Sequence, residues 1–233
     1  MIRFINNFYH EGDRRPKLCT EQYIIWEPKK EWSYAHHAQI IWFKDRYYVM
    51  FSSGHQNEDD VGQRIMYTTS MDFCDWEEPK VLVDSQQGTI AEAVLIPGCW
   101  YTDGTILTVY FLSFEYENEG LEDGHRKTGN GGRINWKHYQ MSSFDGESWT
   151  KQEESQNIAG NHTPIRLLSG RLLCPGGIEH TITDDTSGRK GWKTVYCCDT
   201  EYPLNETQIE RKNMIPGLVE DHKVDLCEAS GIQ

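Results

Sequence analysis

Two histidines and two glutamates recur at corresponding places along the 233-residue chain, and side chains of these types can transfer protons. They are His37, Glu92, His162 and Glu228, which follow one another at intervals of 55, 70 and 66 residues. Each stands at the start of a predicted β-hairpin. Two imidazoles and two carboxylates that meet in one pocket would form an acid/base set, and we predict these four as the catalytic residues.

The hairpins that begin with these residues are repeats of one unit. The segment HHAQIIWFKDRYY (36–48) aligns without a gap on NHTPIRLLSGRLL (161–173), so that His37 falls on His162. The segment AEAVLIPGCWYTDGTIL (91–107) is a longer form of the same hairpin, and the last seven residues, CEASGIQ, repeat its Glu-Ala pair. Self-similarity of this kind indicates a repeat architecture.

A second repeated element follows the first two hairpins. The segments TSMDFCDW (69–76) and SSFDGESW (142–149) share the frame S-x-D-x-x-x-W. Asp and Ser side chains in such a turn can hydrogen-bond local backbone amides, and the Trp can pack between neighbouring sheets. These features favour a structural role for the turns over a catalytic role for Asp72 or Asp145.

The remaining pattern is that of β-structure. The run QIIWFKDRYYVMFSSG predicts two strands joined at Lys44-Asp45, and other aromatic and β-branched runs are short and bounded by turn residues. A hairpin, a third strand that leads into the Ser/Asp/Trp turn and a fourth outer strand make a propeller blade. We predict one domain over 1–233, with blades at roughly 33–84, 90–154 and 161–212 and the start of a fourth at 224–233.

The two S-x-D-x-x-x-W turns resemble the Asp-box (BNR) repeats of sialidase-like propellers, over roughly residues 33–233. The resemblance implies an all-β protein, a β-propeller of the six-bladed sialidase type, of which this chain supplies about three to three and a half blades. We therefore expect the chain to be part of a longer reading frame. A half-ring that closes by pairing with another copy is the alternative.

In a propeller of this type the first strand of each blade lines the central channel, which implies that the four catalytic candidates converge on one mouth. His36 is expected to point away from His37, because side chains alternate along a strand. The substrate-binding candidates open the third strands or lie after the second strands; they are Arg64, Arg133, His55, Tyr116 and His180. Further rim candidates are Glu58, Glu115, Glu117 and Glu179.

The resemblance implies a carbohydrate-active enzyme, a sialidase-like glycoside hydrolase that acts on a terminal sugar, which can be anionic. Glu92 and Glu228 would be the carboxylates that serve as acid and as base or nucleophile. Sialidases hold the substrate carboxylate with three arginines, and the early Arg-Ile-Pro motif of that family is missing from this sequence. For this reason the sialidase catalytic residues are not transferred to this chain.

Two other functions stay open. In a polysaccharide lyase, His37 or His162, helped by a tyrosine, would remove the proton beside the carboxyl group of a uronic acid. In a non-catalytic glycan-binding propeller, or an inactive fragment, exposed aromatic residues at the mouth such as Trp100, Tyr101 and Tyr116 would bind the sugar.

Composition limits the partners. The net charge of −13, from 36 acidic and 23 basic residues, argues against nucleic acid and anionic membranes as partners, and leaves a carbohydrate substrate.

The sequence has no apolar run of about 20 residues and no signal-peptide pattern, and its seven cysteines have no metal-binding spacing. We expect a cytoplasmic protein without cofactor or metal, although HQNEDD (55–60) offers oxygen donors for a cation such as calcium. Self-association is expected only if no further sequence completes the half-propeller.

Overall fold

The computed structural model describes residues 21–126, 132–155, 158, 162–175 and 179–196, and these residues form an all-β fold. Three antiparallel sheets of four strands follow one another along the chain. The predicted all-β fold class is confirmed. No helix among the described residues has the length and apolarity needed to cross a bilayer.

The first sheet contains β1 (Tyr34–Phe43), β2 (Arg46–Gly54), β3 (Arg64–Ser70) and β4 (Lys80–Val83), side by side in that order. The predicted turn at Lys44-Asp45 joins β1 to β2. Both turn residues have positive φ, 45° and 62°, as in the type I′ turns whose twist suits a two-residue hairpin.

The second and third sheets repeat the same order. The second begins with β5 (Val94–Thr102) and β6 (Leu107–Tyr116), continues after a small ribbon of β7 (Leu121–Glu122) and β8 (His125–Arg126), and ends with β9 (Arg133–Ser143) and β10 (Glu153–Glu154). The third contains β11 (Ile165–Arg166), β12 (Leu172–Cys174), β13 (Glu179–Thr183) and β14 (Lys193–Tyr196). The blade boundaries stay predictions, and the fourth predicted unit, 224–233, lies outside the described residues.

Buried side chains join each sheet to the next. The first and second sheets share one apolar core, formed by Phe43, Tyr48, Met50, Ile65, Leu95, Trp100, Leu107, Val109 and Phe111. A second core, which includes Cys99, Tyr101, Tyr110, Leu172 and Trp192, joins the second sheet to the third. Each large apolar side chain that is fully buried contributes about 1.5–3 kcal/mol. Trp100 and Tyr101 belong to these cores, so the prediction that they are exposed at the mouth is wrong.

The two predicted Ser/Asp/Trp turns have the expected hydrogen bonds. Oδ1 of Asp72 accepts from the backbone N–H groups of Cys74 and Asp75, both at 2.9 Å. Oδ1 of Asp145 accepts from Ser148 and Glu147 at 2.7 and 2.8 Å. These backbone N–H groups lower the pKa of both carboxyl groups. Each carboxylate is therefore occupied in holding its turn.

A third turn of this kind follows β13, and it was not predicted from the sequence. Asp185 accepts from the backbone N–H groups of Ser187, Arg189 and Lys190, each at 3.1 Å. Its own N–H donates to Thr183 Oγ1 at 3.0 Å, and Trp192 Nε1 donates to a carbonyl of the turn. Thr replaces Ser here, and the Trp lies seven positions after the Asp instead of four, so the S-x-D-x-x-x-W frame does not match.

Glu115, at the end of β6, holds the segment that connects the first two sheets. Its carboxylate is buried and accepts hydrogen bonds from the backbone N–H of Ile90 (2.8 Å), from that of Ala91 (3.4 Å) and from Asn135 Nδ2 (2.7 Å). These donors, with the Ile90 N–H contributing most, lower the pKa of Glu115 to about 2. The residue is thus a structural anchor of the connection.

The Gly146→Ala variant should be much less stable than the matched Gly104→Ala variant. Both glycines have left-handed φ, +81° and +93°, so alanine costs about 1–2 kcal/mol at either position. A β-carbon at Gly146 would also collide with the hydroxyl of buried Tyr48, which adds about 1–3 kcal/mol, whereas one at Gly104 has no neighbour within 4 Å. Urea denaturation would measure both losses, and equal losses would contradict the predicted collision.

The Glu115→Gln variant should lose part of the acid sensitivity of the fold. The folded pKa of about 2 lies below the ordinary value of 4.5, so the ionised carboxylate stabilises the fold above pH 4.5. That contribution disappears as the pH falls toward 2. The variant should be less stable than the wild type by about 1–3 kcal/mol at neutral pH, with the difference shrinking between pH 4.5 and 2.

Urea denaturation at a series of pH values would measure this effect. Glu78→Gln, which changes an exposed carboxylate, is the matched control and should keep the wild-type dependence on pH. A constant difference in stability between Glu115→Gln and the wild type at every pH would contradict the prediction.

Candidate functional site

A predicted catalytic carboxylate and a predicted binding imidazole both lie beside Gly62, in the loop that follows β2. Glu92 Oε2 and His55 Nε2 lie 3.1 and 3.4 Å from the position that a β-carbon on Gly62 would occupy. Gly62 has a φ of +79° and no side chain, so that position is empty. A carboxylate and an imidazole around one empty position can both contact a small polar group placed there, and groups of these types can transfer protons.

The loop is fixed against the second sheet by Gln63, which is fully buried. Its side-chain Nε2 donates to the backbone carbonyl of Leu95 (2.9 Å), and its backbone carbonyl accepts from the N–H of Leu95 (3.0 Å). Its Oε1 accepts from the N–H of Asp59 (3.0 Å). Because Leu95 lies three residues after Glu92, these bonds set Gly62 beside the Glu92 carboxylate.

His55 is oriented by its own contacts. Its Nδ1 lies 2.7 Å from the carbonyl of Glu31, and a carbonyl can only accept, so Nδ1 carries the proton and Nε2 is the nitrogen beside Gly62. The imidazole stacks on Trp32, with ring centroids 4.0 Å apart. The N–H and hydroxyl of Ser33 both donate to the His55 carbonyl.

Arg64, a predicted substrate-binding residue, is the first residue of β3 and also contacts Trp32. Its guanidinium carbon lies 3.6 Å from the centroid of the Trp32 ring. Its Nε is buried and has no hydrogen-bond partner among the described residues. Trp32 therefore contacts two of the predicted substrate-binding residues, His55 and Arg64. Neither Trp32 nor Gly62 was predicted as part of a site, although KEWSY, just before the first hairpin, holds an aromatic residue among charged ones.

His37 and His36 both face the rim candidate Glu58. His36 Nδ1 lies 3.1 Å and His37 Nε2 3.9 Å from Glu58 Oε1. The expectation that His36 points away from His37 is wrong. The pairing of β1 with β2 shifts register between His36 and Gln39, and His37 has a φ of +54°, so the strand does not alternate there.

The other two binding candidates on the second sheet contact Asp59. Arg133 Nη2 lies 2.8 Å from Asp59 Oδ2, and the hydroxyl of Tyr116 donates to the Asp59 carbonyl (3.0 Å). Burial raises the pKa of Asp59, and the charge of Arg133 opposes that rise. Tyr116 is fully buried, so it is not an exposed binding surface in this structure. Roles for Arg133 and Tyr116 in substrate binding stay predictions.

The third sheet holds two more of the predicted residues. His162 precedes β11, where its carbonyl lies 4.0 Å from Cys174 Sγ. His180 lies in β13 opposite Val195, and burial lowers the pKa of its imidazole. Glu228 lies outside the described residues. The convergence of all four catalytic candidates on one cavity therefore stays a prediction.

A cleft of about 770 Å³ opens near this region, between the segment after β4 and the face of β9. Gln87, Gly88, Glu115, Asn135, Trp136 and Lys137 are among the residues that line it. Neither Glu92 nor His55 lines it, and the Glu115 carboxylate is occupied by its three hydrogen bonds. The Glu92 and His55 side chains beside Gly62 are therefore the stronger candidate site.

Comparisons with known proteins agree with the fold. The family model described as "Beta-prop_BT_1020:-like, N-terminal beta propeller" matches residues 19–95. No curated protein matches the chain.

Three solved structures illustrate the likeness. A sialidase is 10% identical with a TM-score of 0.46, over 75% of this chain and 22% of its own. The sialidase of Trypanosoma rangeli, in complex with 2,3-difluorosialic acid as a covalent intermediate, is 12% identical with a TM-score of 0.51, over 70% of this chain and 30% of its own. The GH93 α-L-arabinofuranosidase of Fusarium graminearum, in complex with arabinobiose, is 14% identical with a TM-score of 0.43, over 69% of this chain and 45% of its own.

The chain thus spans less than half the length of each of these structures. At such low identity the likeness to the T. rangeli sialidase concerns the fold alone. Together with the three four-stranded sheets and the family-model match, it shows that the described residues have a β-propeller fold similar to that of this sialidase.

Proposed function

We propose that the protein is a glycoside hydrolase that acts on a terminal sugar, and that Glu92 is one of its two catalytic carboxylates. The observation that carries this proposal is the placement of Glu92 against His55 across the open position at Gly62. Glycoside hydrolysis needs a carboxyl group that gives or accepts a proton or attacks the sugar. Glu92 is partly exposed, so a substrate can reach it.

The surroundings of Glu92 suit an anionic group. Trp32 contacts both the His55 imidazole and the Arg64 guanidinium, so one aromatic ring supports both polar groups. Arg64 places a guanidinium on Trp32, and this group matches a carboxylate in charge and geometry. We therefore propose an anionic terminal sugar as the preferred substrate class.

The second carboxylate of the reaction is assigned by the sequence repeat. Glu228 corresponds to Glu92, and hydrolysis with retention or inversion requires carboxyl groups about 5–9.5 Å apart. His55 is a positioning residue in this proposal, since its Nε2 and the Glu92 carboxylate lie beside the same empty position at Gly62, where both can contact one bound group.

The fold supports a glycan as the substrate class. The two Ser/Asp/Trp turns and the third turn at Asp185, in which Thr183 replaces the Ser, are proposed as Asp-box repeats. The T. rangeli sialidase, whose structure contains 2,3-difluorosialic acid as a covalent intermediate, shares the propeller fold.

The Glu92→Gln variant should lose hydrolytic activity. Glutamine keeps the shape of the side chain but cannot exchange a proton, and such losses are typically about 10²–10⁴-fold. Mass spectrometry of a panel of sialosides and uronic-acid oligosaccharides would detect products that have gained water. Glu78→Gln changes an exposed carboxylate that is not among the proposed site residues; it is the control and should keep wild-type activity.

Two outcomes of that experiment would overturn the proposal. A Glu92→Gln variant as active as the wild type would remove Glu92 from the mechanism. Unsaturated products would show elimination in place of hydrolysis and would favour the lyase alternative.

The Gly62→Ala variant should also lose activity, by a different route. Its new methyl group would lie 3.1 Å from Glu92 Oε2 and 3.4 Å from His55 Nε2, so it would fill the space between the proposed catalytic groups. Gly104→Ala has the same cost of a left-handed φ in open space and should keep wild-type turnover. Steady-state kinetics at a temperature where both variants are folded would compare them, and equal kcat values would contradict the proposed site.

A further inference from the structure

The His36–His37 pair has a backbone geometry that strands avoid. Neighbouring residues of a strand normally point to opposite faces, yet these two imidazoles lie with centroids 4.1 Å apart. The cause is the register shift after His36 together with the left-handed φ of +54° at His37. A non-glycine residue in that region is strained, and such strain occurs preferentially at functional sites.

Both imidazoles are directed at one carboxylate. Glu58 Oε1 lies 3.1 Å from His36 Nδ1 and 3.9 Å from His37 Nε2, and the three ligand atoms lie within 4.8 Å of one another. Tetrahedral zinc with bonds of about 2.0–2.2 Å places its ligand atoms about 3.4 Å apart, so the observed separations bracket the required one.

We propose that His36, His37 and Glu58 bind one divalent transition-metal ion of the zinc type. Two imidazole nitrogens and one carboxylate oxygen suit zinc and its neighbours, whereas calcium and magnesium prefer ligand sets made only of oxygen. The site differs from the predicted calcium alternative in HQNEDD (55–60), because its nitrogen ligands come from β1.

The exposure of the three side chains leaves room for a further ligand of the metal. The side chains of His36 and Glu58 are 45% and 43% exposed, and that of His37 is 14% exposed. The Nδ1 of His37 is buried, and its Nε2 is the nitrogen that faces the Glu58 carboxylate. Three protein ligands leave the fourth tetrahedral position to water or to an oxygen of a bound molecule. The neighbouring Asp59 forms an ion pair with Arg133 through its Oδ2, at 2.8 Å.

Zinc titration of the chelator-treated protein tests this site independently of any glycosidase activity. Calorimetry with Zn²⁺ should give one tight site, and the variants His36→Ala, Glu58→Gln and His37→Asn should each bind at least tenfold more weakly. Asparagine is chosen at His37 because it tolerates a left-handed φ but is too short to place a ligand atom at the imidazole Nε2 position. Circular dichroism would confirm that each variant is folded.

Two controls exclude other sources of binding. Cys74 is an exposed thiol and Glu78 an exposed carboxylate, so Cys74→Ser and Glu78→Gln should bind zinc as the wild type does. Cobalt substitution should give d–d bands of a nitrogen and oxygen site without a thiolate charge-transfer band. The proposal is overturned if the wild type binds no zinc, if the three site variants keep wild-type affinity, or if cobalt shows thiolate ligation.

Discussion

The burial of aromatic side chains between neighbouring sheets is the interaction on which the rest of the structure depends. Trp100 is fully buried between the first two sheets, where it packs against Tyr48 and against Trp149 of a Ser/Asp/Trp turn. The Asp145 carboxylate holds the backbone of the turn that presents Trp149. Between the two sheets, the side chain of Gln39 on β1 donates to the carbonyl of Gly98 on β5 (2.6 Å).

The site groups form through bonds between elements far apart in sequence. The paired hydrogen bonds of Gln63 with Leu95 set the loop after β2 beside the segment that carries Glu92. The same loop places Glu58 against His36 and the strained His37 of β1. The proposed hydrolytic pair and the proposed metal site thus both depend on this loop.

The sequence predicted what depends on local pattern and missed what depends on long-range packing. The hairpin turn at Lys44-Asp45 and the turns at Asp72 and Asp145 follow from short motifs, and the structure has the expected hairpin and hydrogen bonds. The turn at Asp185 was missed because three additional residues precede its Trp. The predicted orientation of His36 was wrong, because the residue pattern does not show the register shift between His36 and Gln39 or the left-handed φ of His37. Glu92 was predicted from the repeat, but its pairing with His55 depends on bonds between the first and second sheets.

The most direct test of the account is a crystal structure of the protein with an anionic monosaccharide bound. The account predicts electron density for the sugar beside Gly62, with a ring oxygen or hydroxyl within hydrogen-bonding distance of Glu92 and the carboxylate near Arg64. A sugar bound only in the cleft beside Glu115, or on another face of the sheets, would contradict it.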